Sequence, residues 1–200
     1  MDLPHIILAS GSPRRRELLT LIGVTFDVIS PDVDESLRAG EPPIDYVRRL
    51  AREKAESIAA SHPHRIVLGS DTSVILDGRI LGKPVDAEDA VRMLSELSGR
   101  THTVYTGYAV MHGDSGRSIV SYGEANVTFY PLERREIERY VAGGSPLDKA
   151  GSYGIQDDRG ALFIDRIDGD YYTIVGLPIA KVYRAIVALI DGITSSTGHV

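Results

Sequence analysis

The stretch "HIILASGSPRRRELL", residues 5–19, decides how the rest of the chain reads. His5-Ile6-Ile7-Leu8 is a short apolar run, the mark of a buried strand. Ser12-Pro13 follows as a helix start, with Ser at the N-cap and Pro at the first helical position. Arg14, Arg15 and Arg16 come next, where the helix dipole is already positive and each cation is unfavourable by about 0.3–1 kcal/mol. Two readings stand. The arginines form a solvated turn, or a bound polyphosphate removes the conflict. In the second case backbone N–H groups, the Ser10 and Ser12 hydroxyls and two guanidinium forks face one anion, and Arg16 stays in solvent. The stretch is not a GxxxxGK[ST] phosphate loop.

Working outward, strands and helices alternate. Helix 14–22 stops at Gly23, and 25–29 is a second strand. "SPDVDESLRAGEPP" is a polar loop. Helix 45–60 carries an apolar stripe of Val47, Leu50, Ala51, Ala55 and Ile58. Strand 66–69 leads into Ser70-Asp71-Thr72. "VILDGRIL" is a hairpin turning at Asp77-Gly78. Helix 87–97 closes at Gly99, and 101–111 with 119–130 form a long antiparallel pair. Helix 132–141 precedes "GGSPLDKAGSYGIQDDRG", a Gly-rich loop too long to be only a connector. Strand 161–167 and a last helix, opened by Gly176-Leu177-Pro178 and ending near 190, complete the order. It predicts an α/β fold with a mixed twisted sheet flanked by helices. Residues 1–191 read as a single domain and 192–200 as a frayed tail.

The bulk numbers narrow the function. The chain has 200 residues, 42% hydrophobic and 25% charged, as in a soluble globular protein. Its net charge of −6 argues against nucleic acid as a partner, so a bound anion needs a local cluster of cations. With no cysteine, disulfides, thiolate zinc sites and a cysteine nucleophile are excluded. No apolar run approaches the roughly 18 residues of a membrane span, and no signal-like segment opens the chain. The expected location is the cytoplasm, without a membrane partner.

Several residues carry chemistry. Lys54 falls on the apolar stripe of its helix, where a lysine either has a buried partner or snorkels at the edge. Arg48, Arg49, Arg52 and Glu53 lie mostly off the stripe and read as solvated surface. Asp71 follows the apolar run "IVLGS" and reads as the carboxyl end of a core strand, where α/β sheets bind ligands. Its carboxylate needs a cation, a metal or several hydrogen bonds, unless it caps the next turn. The hairpin folds Lys83 back toward Asp71, so the two form a pair or share a phosphate. Asp34 and Glu35 suit Mg²⁺ or Mn²⁺, or are an ordinary acidic loop. In "DKAGSYGIQ", Gln156 suits a base edge, Tyr153 suits stacking and Lys149 adds a cation; otherwise the segment is a surface loop.

Taken together, the chain resembles the Maf family of nucleoside triphosphate pyrophosphatases. The matching segments are "LASGSPRRRELL", "VDES", "RLAREKA", "GSDT", "LGKP", "LSGRTHTVYTG", "PLDKAGSYGIQ", "GALFI" and "IDGDYYTIVGLPI", in order from residue 8 to residue 179. The resemblance implies two lobes around a central cleft and metal-assisted hydrolysis to the monophosphate and pyrophosphate. Asp71 would be the proton acceptor, with Lys54 and Lys83 as catalytic lysines. Ser10, Ser12, Arg14 and Arg15 would hold phosphate, and Glu35 with Asp71 would bind Mg²⁺ or Mn²⁺. Arg14, Thr72 and Gln156 occupy the positions tied to substrate choice. They are similar to the branch acting on dTTP and UTP. The sister branch, acting on 7-methyl-GTP, has Trp after "SP" and Gln after the Asp. Ser70 departs from the alanine usual in the first branch and echoes the second. The resemblance also implies a homodimer, although no clear interface stripe shows. A nucleotide-binding regulator of septum formation, without turnover, is the non-enzymatic alternative.

Overall fold

A computed structural model describes residues 3–156 and 159–197. The elements are β1 (Ile6–Ala9), α1 (Pro13–Leu21), β2 (Phe26–Val28), α2 (Pro43–Ala59), β3 (Ile66–Leu76), β4 (Arg79–Leu81) and α3 (Ala87–Leu97). They continue as β5 (Thr101–His112), β6 (Arg117–Phe129), α4 (Arg134–Ala142), β7 (Ile164–Gly169), α5 (Tyr171–Val175) and α6 (Ile179–Thr197). Seven strands form one sheet in the order β2-β1-β3-β5-β6-β7, with β4 paired to β3. β1 is parallel to β2 and β3, whereas β4 and β7 are antiparallel to their neighbours, so the sheet is mixed as expected.

The chain divides into two compact units: Met1–Asp71, Thr106–Gly123 and Gly176–Val200, and then Thr72–Tyr105 and Glu124–Val175. In the first, all four residues of β1 are buried, because a parallel strand is covered on both faces. The register pairs Ile7 with Val67, Leu8 with Leu68 and Ala9 with Gly69. Helix α2 lays Ala51, Ala55 and Ile58 against Ile7, Val67 and Met111. Two glycines set how close it comes. A Cβ on Gly69 would stand 2.2 Å from the Ala51 carbonyl oxygen, and one on Gly107 2.2 Å from the Val47 carbonyl oxygen. Only glycine lets the helix backbone rest on β3 and β5 in this way.

In the second unit the β3–β4 hairpin turns at Asp77 (φ 52°) and Gly78 (φ 75°). Two consecutive positive φ values match the right-handed strand twist, which is why Asp-Gly serves there. Asp86 caps α3 by accepting the Asp89 N–H at 2.8 Å. The pairs Thr101–Thr128 and Thr103–Asn126 run in opposite senses, so β5 and β6 are antiparallel there. The core gathers Leu76, Leu94, Leu97, Phe129, Tyr153 and Phe163.

Three differences from the sequence reading matter. β3 does not stop at Gly69: it runs on through Asp71 to Leu76, so Asp71 lies inside a long strand and not at its carboxyl end. Ser70, Asp71 and Ser73 are buried within this strand. Residues 160–163 form a 3-10 turn before β7, and α5 was not foreseen. α6 continues past 190 to Thr197, so the helix enters the stretch expected to fray; residues 198–200 lie outside the described residues. No described helix is long and apolar enough to cross a membrane.

Candidate active site

The turn from β1 into α1 comes first. Ser12 takes the N-cap position with extended backbone, and Pro13 opens the helix, but the Ser12 hydroxyl does not cap. The Ser12 N–H instead donates to Ser10 Oγ at 3.2 Å. Arg15 reaches the same hydroxyl: its NH1 donates to Ser10 Oγ at 3.0 Å, and its Nε donates to the Gly176 carbonyl at 2.9 Å. Arg15 thus ties the start of α1 to the turn before α6. Arg14 and Arg15 are half-buried while Arg16 is exposed, the division expected from the sequence. Burial lowers the Arg15 pKa, an effect that the negative charge of Asp71 opposes.

Lys54 is buried on the inner face of α2, at 7% side-chain exposure. Its Nζ donates to Asp71 Oδ1 at 2.7 Å and pairs with Glu35 Oε1 at 2.6 Å. The sequence left open whether this lysine snorkels or has a partner; it has two. Asp71 is itself buried, and its Oδ2 accepts no hydrogen bond among the described residues. Burial raises the Asp71 pKa, although Lys54 and Arg15 both pull the other way. A carboxylate with a raised pKa is a better base than a free aspartate.

Glu35 comes from the irregular segment between β2 and α2, and its side chain is 51% exposed. Its backbone is nonetheless fixed, since Tyr46 OH donates to the Glu35 carbonyl at 2.8 Å. The Tyr46 hydroxyl is pushed up to about 12, first by burial and then by the charges of Asp71 and Glu35, so it remains a donor. Arg49 and Glu53, read from the sequence as solvated, are not: Arg49 is 12% exposed and bound by a fork to Glu41 at 2.6 and 2.7 Å. Nothing in its helical spacing marks it. The signal that could have found it is Glu41, eight residues upstream, in a loop that needs an anchor.

Glu35 and Asp71 offer two hard carboxylates that already converge on one cation, the Lys54 ammonium. Mg²⁺ and Mn²⁺ are held by one or two carboxylates together with substrate phosphate and water, so these residues fit. Among the described residues there is no group of three or more His, Asp or Glu placed to hold an ion without substrate.

The second unit holds the other predicted residues. Thr72 is half-buried and follows Asp71 in β3. Lys83 is exposed and has no hydrogen-bond or ion-pair partner among the described residues. The antiparallel pairing of β3 with β4 ends at Val74 and Leu81, two residues short of Lys83. Gln156 is exposed. Tyr153 and Lys149 are not available in the way the sequence suggested. Tyr153 is buried, edge-on to Phe129 and His102, and its hydroxyl bonds His102 Nε2 at 2.8 Å. The Lys149 side chain is 9% exposed and pairs with Asp148. Tyr153 ties the Gly-rich loop to β5. Ser70, which departed from the expected alanine, donates to the carbonyls of Gly107 at 2.9 Å and Gly176 at 3.3 Å. Its hydroxyl is thus taken up by the backbone.

The family model described as "Maf-like protein" matches residues 5–189. A Bacillus cytotoxicus protein named dTTP/UTP pyrophosphatase is 52% identical over 182 residues, covering 91% of this chain and 94% of that protein. A Bacillus mycoides protein of the same name is 50% identical over 179 residues, covering 90% and 92%. Among solved structures, the Ham1 protein of Staphylococcus aureus aligns with a TM-score of 0.44 and 18% identity, over 63% of this chain and 72% of that one.

Proposed function

The chain belongs to the Maf-like protein family, and from that premise we propose that it is a nucleoside triphosphate pyrophosphatase acting on dTTP and UTP. The observation that carries the reading is Asp71. It is buried, has a raised pKa, is bonded through one oxygen to Lys54, and leaves its second oxygen without a hydrogen-bond partner among the described residues. A protein that only bound a nucleotide has no use for a buried carboxylate oxygen left open to a water beside the phosphates.

In the proposed reaction Asp71 Oδ2 takes a proton from water as the water oxygen attacks the α phosphorus. The α–β bridging bond breaks, and its electron pair leaves with pyrophosphate. Lys54 holds Asp71 in place, and its charge opposes the upward pull of burial on the Asp71 pKa. Glu35 and Asp71 would hold a divalent cation, which supplies charge neutralisation on the phosphate oxygens when bound. Arg14, Arg15 and Lys83 supply positive charge for the polyphosphate, with the Ser10 and Ser12 turn offering N–H groups at the start of α1. Arg14, Thr72 and Gln156 select the base, Gln156 through its paired donor and acceptor.

The test is a substrate panel. The protein is incubated with dTTP, UTP and 7-methyl-GTP plus Mn²⁺, and pyrophosphate is measured. Release from dTTP and UTP is expected. Faster release from 7-methyl-GTP would transfer the chain to the sister activity, and binding without release from any would overturn the enzyme reading. Arg14→Trp is expected to weaken the pyrimidine preference; unchanged selectivity removes Arg14 from that role.

A further inference from the structure

Glu35 is carried by a segment with no regular secondary structure, yet its carboxylate meets Lys54 at 2.6 Å. The cause lies on α2. Arg49 forks onto Glu41 at the far end of the segment, with Nε to Oε1 at 2.6 Å and NH2 to Oε2 at 2.7 Å. The same NH2 donates to the Ser36 carbonyl at 3.1 Å, next to Glu35. NH1 donates to Glu53 Oε2 at 3.0 Å, and Glu53 in turn takes Arg38 of the segment at 2.9 Å. The guanidinium stands 5.4 Å from the centre of the Tyr46 ring, whose hydroxyl holds the Glu35 carbonyl. Both peptide carbonyls around the Glu35–Ser36 step are therefore pinned from one helix face. Arg49 and Glu41 are 12% and 10% exposed, so solvent screens this fork weakly.

We propose that Arg49 is a positioning residue for the cation site: it fixes the backbone from which Glu35 reaches toward Asp71, and so sets affinity for Mg²⁺ or Mn²⁺. This rests on Glu35 being a cation ligand, as under the proposed function. A lysine keeps the charge but cannot span Glu41, Ser36 and Glu53 with one planar group.

The experiment compares wild type with Arg49→Lys. Mn²⁺ binding is followed by electron paramagnetic resonance with a dTTP analogue whose α–β bridge does not hydrolyse, so no turnover is needed. The Mn²⁺ Kd is expected to rise about tenfold or more, as for the loss of other residues that orient a metal ligand. Pyrophosphate release should recover toward wild type at saturating Mn²⁺. In a Glu35→Gln background the same substitution should change the Kd less than about twofold, because the two residues act in series. An unchanged Kd in the first background, or an equal change in both, overturns the proposal. If Arg49→Lys does not fold, Glu41→Gln removes the fork from the other side and is read identically. A wild type that binds Mn²⁺ but releases no pyrophosphate would sink the proposed function while leaving the role of Arg49 readable from the Kd.

Discussion

At the scale of single residues, the Lys54–Asp71 pair is the centre of the proposed chemistry. A buried carboxylate with a raised pKa gives an activity that falls as pH drops through that pKa, because only the ionised form accepts the proton. The acid limb of pyrophosphate release is therefore expected above the range of an ordinary aspartate, as a pH profile of the rate would show. Lys54 lowers the Asp71 pKa through its charge and its hydrogen bond. Removing it in Lys54→Met should move the acid limb to higher pH; a limb that stays or moves down would mean another group titrates. Asp71→Asn should reduce turnover by about 100-fold or more, in the range of a lost general base. Binding of a non-hydrolysable dTTP analogue should survive. The arginines at the start of α1 also find their explanation here. Arg15 is committed to Ser10 and Gly176 beside Asp71, so it opposes the helix dipole for a reason internal to the site.

At the scale of elements, α2 is the part that places Lys54, Tyr46 and Arg49, and two glycines set its height over the sheet. Gly69→Ala would push a methyl into the Ala51 carbonyl at 2.2 Å and the Ala55 nitrogen at 2.8 Å, both rigid backbone. We expect a loss of about 1–3 kcal/mol, the usual range for an overpacked core, read from the urea midpoint. Pyrophosphate release should fall further than that loss explains, since Lys54 moves with the helix. Gly107→Ala, which meets Val47, should act in the same direction. The Gly-rich loop depends on β5 in another way. His102 is buried among Phe129 and Tyr153, and its Nδ1 has no partner among the described residues. Burial lowers its pKa from 6.5 to about 4. The folded protein keeps His102 neutral, while the unfolded chain takes up a proton as pH falls below 6.5. Its contribution is thus complete above 6.5 and is lost toward pH 4, by up to about 3 kcal/mol. Urea unfolding of wild type and His102→Gln at pH 7 and pH 4.5 checks this; the variant should show the smaller loss between the two.

At the scale of the molecule, most of the fold could be read in advance because its signals are local. Asp77-Gly78 names its own turn, the apolar stripe names α2, and helix α3 begins and ends where its pattern does. The partner of Lys54 was visible as a need but not as an identity. Asp71 lies 17 residues away and Glu35 in an irregular segment, and only the parallel pairing of β1 and β3 with α2 above them joins the three. Tyr153 misled for a related reason: whether a tyrosine stacks on a base or fills the core depends on His102 and Phe129, which lie far off in sequence. The same long-range assembly makes a prediction about metal removal. Two carboxylates converge at Glu35 and Asp71, and a chain that relied on a metal to neutralise them would loosen without it. Here the Lys54 ammonium bridges both, so the fold supplies its own counter-charge. Chelation with EDTA should therefore abolish pyrophosphate release while leaving the thermal midpoint within about 2 °C, a change worth no more than about 1 kcal/mol for a chain of this size. Restoring Mn²⁺ should restore turnover without refolding. A midpoint that falls by ten degrees or so would show that the cation is part of the fold, and that Lys54 does not do for Glu35 and Asp71 what its distances imply.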